Sequence, residues 1–284
     1  VSVNIAVLFI LSKRFLAMLN RRFPFTALCL SFIIACTCLV NHSLASTQAT
    51  PKQEAKLHIA VASNFRATLD KLAPLYSKNH RQELVISAAA TGVLYQQIRH
   101  GAKFDVFLSA DSKRPKLLMA DGLALNETLY AKGKLVLATK NGNSLPSLGD
   151  LAAAKTFLSQ QAKRSVAIAK PNTAPYGLAA KQVYQRFGLW QASKKSRIET
   201  GNIAQAALLL DQGHVQYAFL AQAIAQQMPD IKSIEIPSTF YKSINQSAVV
   251  LSASNNKQAA TELFKFLQSD AAQNIITNSG YHAL

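Results

Sequence analysis

The chain has 284 residues, with 31 Lys and Arg against 14 Asp and Glu, a formal net charge of +17. Hydrophobic residues make up 49% and charged residues 16%, which excludes a disordered polyelectrolyte and leaves one large or two smaller domains around a sizeable core. Eleven glycines, nine prolines and no sustained heptad or internal period exclude collagen, coiled-coil and repeat architectures.

The first elements in chain order read as an address. Arg21 and Arg22 precede an apolar run from Phe23 to Val40, followed by Asn41-His42-Ser43-Leu44-Ala45. A basic region, an apolar region and a small-x-small ending describe a secretory signal over residues 1–45, cleaved after Ala45. The run is short and its far end polar, which argues against a retained membrane anchor. Val1 to Ala17 form a second apolar piece interrupted by Lys13 and Arg14; it reads as an overlong start, with translation beginning at Met18. Ile33-Ile34-Ala35-Cys36 also fits a lipobox, so a lipoprotein anchored through Cys36 is the alternative to a soluble periplasmic protein. All three cysteines, Cys29, Cys36 and Cys38, lie in this segment, so the mature chain needs no disulfide and has no thiol chemistry. Cleavage leaves the chain strongly basic. Export makes nucleic acid an unfavoured partner all the same, and the charge favours anionic ligands and surfaces.

Residues 46–55 are polar and read as a flexible mature N-terminus. Leu57 to Ala62 is a short apolar strand ending in Ser63-Asn64. After it, Phe65, Leu69, Leu72, Leu75 and Tyr76 recur at helical spacing, with Ser63 or Asn64 as the N-cap. The arrangement repeats. Glu83–Ser87 is a strand, Ala88-Ala89-Ala90-Thr91-Gly92 a small-residue turn, and Val93–Arg99 a helix. Ser165–Ala169 is a strand, followed by a turn through Pro175 and a helix from Tyr176 to Phe187. Arg197–Thr200 leads through Gly201-Asn202 into a helix near Ile203. Buried strands are expected at Asp105–Ser109, Lys134–Thr139 and Gln216–Leu220. Strands alternating with helices argue an α/β protein with largely parallel sheets. In such folds, helix N-termini at the carboxyl ends of strands bind anions through free N–H groups and the positive dipole end. Four turns here have that character, although Ser, Thr and Asn also cap helices with no ligand involved.

Catalytic readings fare poorly. No phosphate loop, nucleophile elbow or zinc-protease helix occurs. His58, His80, His100, His214 and His282 form no pair at metal-ligand spacing. Asp105 and Asp111 bracket one strand and would not meet on a single substrate; Asp111 reads as a brace for the next segment. Trp190 and the tyrosines form no stacking platform. The chain is read as a binding protein, not an enzyme.

Five segments then carry a resemblance: Ala62-Ser63-Asn64-Phe65; Ala90-Thr91-Gly92 with Leu94 and Gln97-Ile98; Asp105-Val106-Phe107-Leu108-Ser109-Ala110-Asp111; Ala174-Pro175-Tyr176-Gly177 with Ala179-Ala180; and Gly201-Asn202-Ile203-Ala204-Gln205-Ala206. Over nearly the whole mature chain, from Leu57 to Tyr281, the sequence resembles the periplasmic molybdate-binding proteins of ABC importers. The resemblance implies a two-lobed periplasmic-binding-protein fold of type II, with the ligand in a cleft between lobes joined by crossing strands. It implies neutral ligation of a tetrahedral dianion, molybdate or tungstate. Ser63 would give its hydroxyl and Asn64 its N–H, Thr91 its hydroxyl and N–H, and Tyr176 and Ile203 their N–H groups. No cofactor and no direct metal-ion ligand are implied. The implied partners are the oxyanion and the membrane permease of an ABC importer, and the implied state is a monomer. Two positions depart from the family pattern: Thr91 stands where Ser is common, and Leu220 where some relatives place a tyrosine. The second-lobe donors would then be backbone alone.

On this reading the first lobe spans 56–133 and 232–284 and the second 134–231, with Lys134–Thr139 and Lys232–Ile236 crossing between them. Neutral dipoles in a dry cleft read ligand size rather than charge. Sulfate, phosphate or an organic acid is the alternative ligand, although a bulky carboxylate usually recruits an Arg and none of the four turns carries one. A sensory ligand-binding domain is the alternative of another class.

Overall fold

The computed structural model describes residues 56–140, 145, 148, 151–161 and 163–284. The expected signal segment, the lipobox at Cys36 and the tail 46–55 lie outside the described residues.

Two sheets carry the chain. The first begins with β1 (Lys56–Ala62), α1 (Arg66–His80), β2 (Glu83–Ala89) and α2 (Thr91–Arg99). It continues through β3 (Val106–Leu108), α3 (Lys113–Ala120) and the ten-residue β4 (Ala124–Gly133). One residue later the chain enters the second sheet. There it forms β5 (Leu135–Lys140), α4 (Leu151–Gln161), β6 (Val166–Ala169) and α5 (Pro175–Arg186). β7 (Arg197–Thr200), α6 (Ile203–Asp211), β8 (Tyr217–Ala221), α7 (Gln222–Ala225) and β9 (Ile231–Glu235) follow. The chain then returns to the first sheet as β10 (Ile244–Leu251), α8 (Lys257–Leu267), α9 (Asp270–Asn278) and β11 (Tyr281–His282). Strand order is β11-β4-β10-β3-β1-β2 in the first sheet and β7-β6-β8-β5-β9 in the second.

The expectation of largely parallel sheets needs correction. β1 is parallel to β2 and β3, and β6 to β7 and β8. β10, however, runs antiparallel to β3 and β4, β11 to β4, and β5 to β8 and β9. Parallel pairs come from strand–helix–strand crossovers, whereas β4, β5, β9 and β10 flank the two passages between sheets and so pair antiparallel. The expected lobe boundary at 231/232 falls inside β9. Ile231 through Glu235 all pair with β5, from Lys140 to Val136, so this strand stays in the second sheet.

The first core forms where α1 crosses the sheet. Phe65 is fully buried and meets Tyr130 and Tyr281 edge-on, with centroids 4.8 and 5.4 Å away. Such a side chain contributes about 2–3 kcal/mol by burial alone, and it anchors the turn just before it.

At the other end of β1, Asp105 is a bolt. Its Oδ2 accepts the His58 N–H at 2.8 Å, and its Oδ1 accepts the Ser254 hydroxyl at 2.6 Å and the Asn256 amide at 3.2 Å. Asp111, beyond β3, instead accepts the Arg114 backbone N–H at 2.9 Å and pairs with the Arg114 guanidinium, the bracing role expected for it. Asp105→Ala would leave three donors without their acceptor and should destabilise the chain by about 3 kcal/mol. Thermal denaturation of the ligand-free protein checks this, and an unchanged midpoint would remove Asp105 from the account.

Candidate functional site

Each sequence-predicted donor sits where a strand ends and a helix begins. β1 and β2 are neighbours in register, with Ala62 opposite Ala89, so the turns at Ser63 and Thr91 lie side by side. The Ser63 N–H donates to the Ala89 carbonyl at 2.9 Å. In the second sheet Ala169 is opposite Thr200, and the Lys170 N–H donates to the Thr200 carbonyl at 2.8 Å. The turns before α5 and α6 are thus paired in the same way.

The backbone N–H groups of Asn64, Thr91, Tyr176 and Ile203 have no acceptor among the described residues; for Thr91, Tyr176 and Ile203 this is what the first turn of a helix requires, whereas Asn64 precedes the N-cap of its helix. All four residues are buried. They fall in two matched pairs, one to each sheet. The Thr91 hydroxyl oxygen accepts the Ala110 N–H at 3.1 Å, which leaves its proton free to be donated elsewhere. The half-buried Ser63 hydroxyl makes no hydrogen bond to the described residues.

The N-cap expectation at Ser63 or Asn64 is overturned. Phe65 occupies the N-cap of α1, with no side-chain capping bond. The Asn64 amide is committed elsewhere, donating to Gln246 Oε1 at 2.9 Å and the Tyr281 hydroxyl at 3.2 Å. Asn202 does cap its helix, its side chain accepting the Gln205 N–H at 3.0 Å. Leu220 is fully buried in β8, opposite Val136.

One turn of each pair meets across the sheets. The Gly92 N–H donates to the Thr173 carbonyl at 2.8 Å, and Arg114 Nη2 to the Asn172 carbonyl at 2.8 Å. Arg114 therefore reaches the rim of the cleft although no turn carries an arginine. Asp111 neutralises its charge there. A cavity of about 400 Å³ between α3 and α5 and one of about 230 Å³ beside α2 share Lys113, Arg114 and Asn172. Neither is lined by Ser63, Thr91 or Ile203.

Behind the turns lies a buried network that the sequence reading missed. Gln246 is fully buried in β10. Its Oε1 accepts from Asn64 and lies 3.1 Å from the Tyr130 hydroxyl, while its Nε2 donates to the Tyr176 hydroxyl at 3.1 Å. Tyr281 donates its hydroxyl to the Asn64 carbonyl at 2.8 Å. Burial pushes the Tyr130, Tyr176 and Tyr281 phenols well up from their ordinary range, so the network stays uncharged at any physiological pH. The sequence signal is weak, because Gln246 lies between Asn245 and Ser247 in the polar half of its strand; its complete burial is what sets it apart. Among the described residues, no group of three or more His, Cys, Asp or Glu side chains comes together that could hold a cation.

Comparison with known proteins fits this geometry. Residues 57–282 match the family model "Bacterial extracellular solute-binding protein". The chain is 34% identical to the molybdate-binding protein ModA of Azotobacter vinelandii over 236 residues, covering 81% of this chain and 90% of that protein. It is 32% identical to ModA of Rhodobacter capsulatus over 235 residues, covering 82% and 90%. The chain belongs to the ModA family. The solved structure of the periplasmic molybdate-binding protein of A. vinelandii superposes with a TM-score of 0.72 at 31% identity, covering 80% of this chain and 99% of that one. The fold is thus the two-lobed, type II periplasmic-binding-protein architecture, one sheet to a lobe. Members of this family bind solutes and are not enzymes.

Proposed function

We propose that this protein is an exported periplasmic binding protein that captures molybdate, and tungstate with it, as a monomer, and delivers the ion to the permease of an ABC importer. The observation that carries the reading is the two pairs of strand-to-helix turns, joined across the sheets at Gly92 and Thr173, with four unpaired N–H groups on buried residues. Ser63 and Thr91 donate hydroxyls and Asn64 and Thr91 N–H groups from the first lobe; Tyr176 and Ile203 donate N–H groups from the second. Six neutral donors and four helix dipoles stabilise a dianion without the desolvation cost of a buried counter-charge. The first lobe comprises 56–133 and the chain after β9, and the second 134–235; hinge rotation about the two passages brings the turns together.

The test is a thermal-shift series on residues 46–284 with molybdate, tungstate, sulfate and phosphate. A ligand at about 1,000 times its dissociation constant adds about 4 kcal/mol of stability. Molybdate and tungstate should raise the midpoint and sulfate and phosphate should not. Equal stabilisation by sulfate or phosphate would make the protein a general oxyanion binder, and no stabilisation by any would sink the reading.

Removing one hydroxyl donor should cost about 1.5–3 kcal/mol, the range for hydrogen bonds to charged groups. Ser63→Ala is therefore expected to weaken molybdate binding roughly ten- to a hundredfold by calorimetry, with no change in ligand-free stability. Thr91→Ala should weaken binding similarly and also destabilise the ligand-free chain by about 1 kcal/mol, because Ala110 loses its acceptor. Thr91→Ser should restore both. Wild-type affinity in both alanine variants would take the hydroxyls out of the site.

A further inference from the structure

We infer that Gln246, with the Tyr176 phenol seated beside it, sets the distance between first-lobe and second-lobe donors and so determines which size of oxyanion the site accepts. The inference deepens the reading above and rests on it.

Gln246 is the side chain that joins the two donor sets. Through Oε1 it holds Asn64, whose own N–H is a first-lobe donor. Through Nε2 it holds the hydroxyl of Tyr176, whose N–H is a second-lobe donor. Asn64 is fixed at a second point, because Tyr281 spans its side chain and its carbonyl. Tyr130 engages Gln246 and the Ser109 carbonyl, at 3.1 and 3.0 Å, so the amide has little freedom to shift along its strand.

The phenol is a rigid strut, and the first lobe is notched to receive it. A Cβ at Gly133 would stand 2.2 Å from Tyr176 Oη, 2.8 Å from Cζ and 2.9 Å from Gln246 Nε2. The missing side chain at the end of β4 lets a second-lobe tyrosine reach a first-lobe glutamine. Tyr176, Gln246, Tyr130 and Tyr281 are all buried, so the amide and phenols are screened from water and their lengths define a spacing. The strut runs from the first turn of α5, where the proposed donor sits, to the strand that holds Asn64. Its length is therefore transmitted to the gap between donors.

Simple packing between lobes would stabilise closure over every ligand alike. A spacer acts differently: it stops the lobes at the separation that suits the longer metal–oxygen bonds of molybdate and leaves sulfate short of one donor set. Without it the lobes can settle closer around the smaller ion.

The test compares molybdate and sulfate affinities, sulfate by displacement of molybdate, in the wild-type protein, Tyr176→Phe and Gln246→Leu. Tyr176→Phe removes one hydroxyl and keeps the backbone donor, so it decides alone if Gln246→Leu does not fold. Molybdate should weaken while sulfate weakens less or gains, so that the sulfate-to-molybdate ratio of dissociation constants falls at least about tenfold, the scale of a one-group change in a pocket. A ratio unchanged within about twofold in Tyr176→Phe, with both ions weakened equally or not at all, overturns the inference and leaves molybdate binding standing. A wild-type protein that binds both ions equally overturns it as well. One that binds neither overturns it together with the proposed function.

Discussion

Gly177→Ala should destabilise the ligand-free protein by about 3 kcal/mol and abolish oxyanion binding. Gly177 is the third residue of α5, and a Cβ there would stand 1.9 Å from the Ala169 carbonyl oxygen, 2.6 Å from the Ala169 carbonyl carbon and 3.2 Å from that of Lys170. All three are backbone atoms at the end of β6, so no rotamer change relieves the contact. The first turn of the helix has to lift off the strand, and overpacking of this kind costs about 1–3 kcal/mol or more. Ala179 and Ala180, buried residues of the same helix, are small enough for its close approach to the sheet. The lift should carry the Tyr176 N–H out of the proposed donor set and draw its phenol from the Gly133 notch. A midpoint lowered by roughly 6–12 °C, with no molybdate shift, is the expected result of a thermal scan. A midpoint within a degree or so of wild type, with binding intact, would mean that the close approach is dispensable.

Much of this geometry is legible in the residues, and the limits have physical causes. The strands expected at Leu57–Ala62, Glu83–Ser87 and Ser165–Ala169 announce themselves as apolar or β-branched runs that end in small or hydroxyl residues, although the second runs on through Ala89, and the helices after them show apolar residues at helical spacing. Local sequence therefore places the turns at Ser63, Thr91, Tyr176 and Ile203 at the ends of strands. It does not tell which strands run antiparallel, because β4 and β10 take their direction from passages between lobes that no local pattern records. The N-cap of α1 is misread for a related reason. Asn64 has the right chemistry for a cap, but Gln246 and Tyr281, 182 and 217 residues further along the chain, claim its amide first. Gln246 does not stand out, since Asn245 and Ser247 flank it; its partners Asn64, Tyr130 and Tyr176 come from three separate elements, and only the fold brings them together.

Gly92 tests closure apart from folding. It is the second residue of α2, and its N–H makes a backbone hydrogen bond across the cleft to the Thr173 carbonyl. A Cβ there would stand 2.9 Å from Thr173 Cα, 3.0 Å from the Thr173 oxygen and 3.0 Å from Arg114 Nη2. The arginine tip can move aside, but the Thr173 backbone belongs to the opposite lobe and can yield only if the lobes part. Within its own lobe the substitution is favourable, since alanine in a helix is about 0.5–1 kcal/mol better than glycine. The two effects thus have opposite signs. Gly92→Ala should melt at or slightly above the wild-type midpoint without ligand. Its molybdate affinity should fall by roughly thirty- to a hundredfold, as strain and the loss of the crossing hydrogen bond remove about 2–3 kcal/mol from the closed state alone. Gly92→Val should bind more weakly still, because its branched side chain forces the lobes further apart. Calorimetry with a ligand-free melt separates the two terms. Wild-type affinity in both variants would show that the ion is held without the lobes meeting at Thr173, and hinge closure would then have to be replaced by a site that binds in the open form.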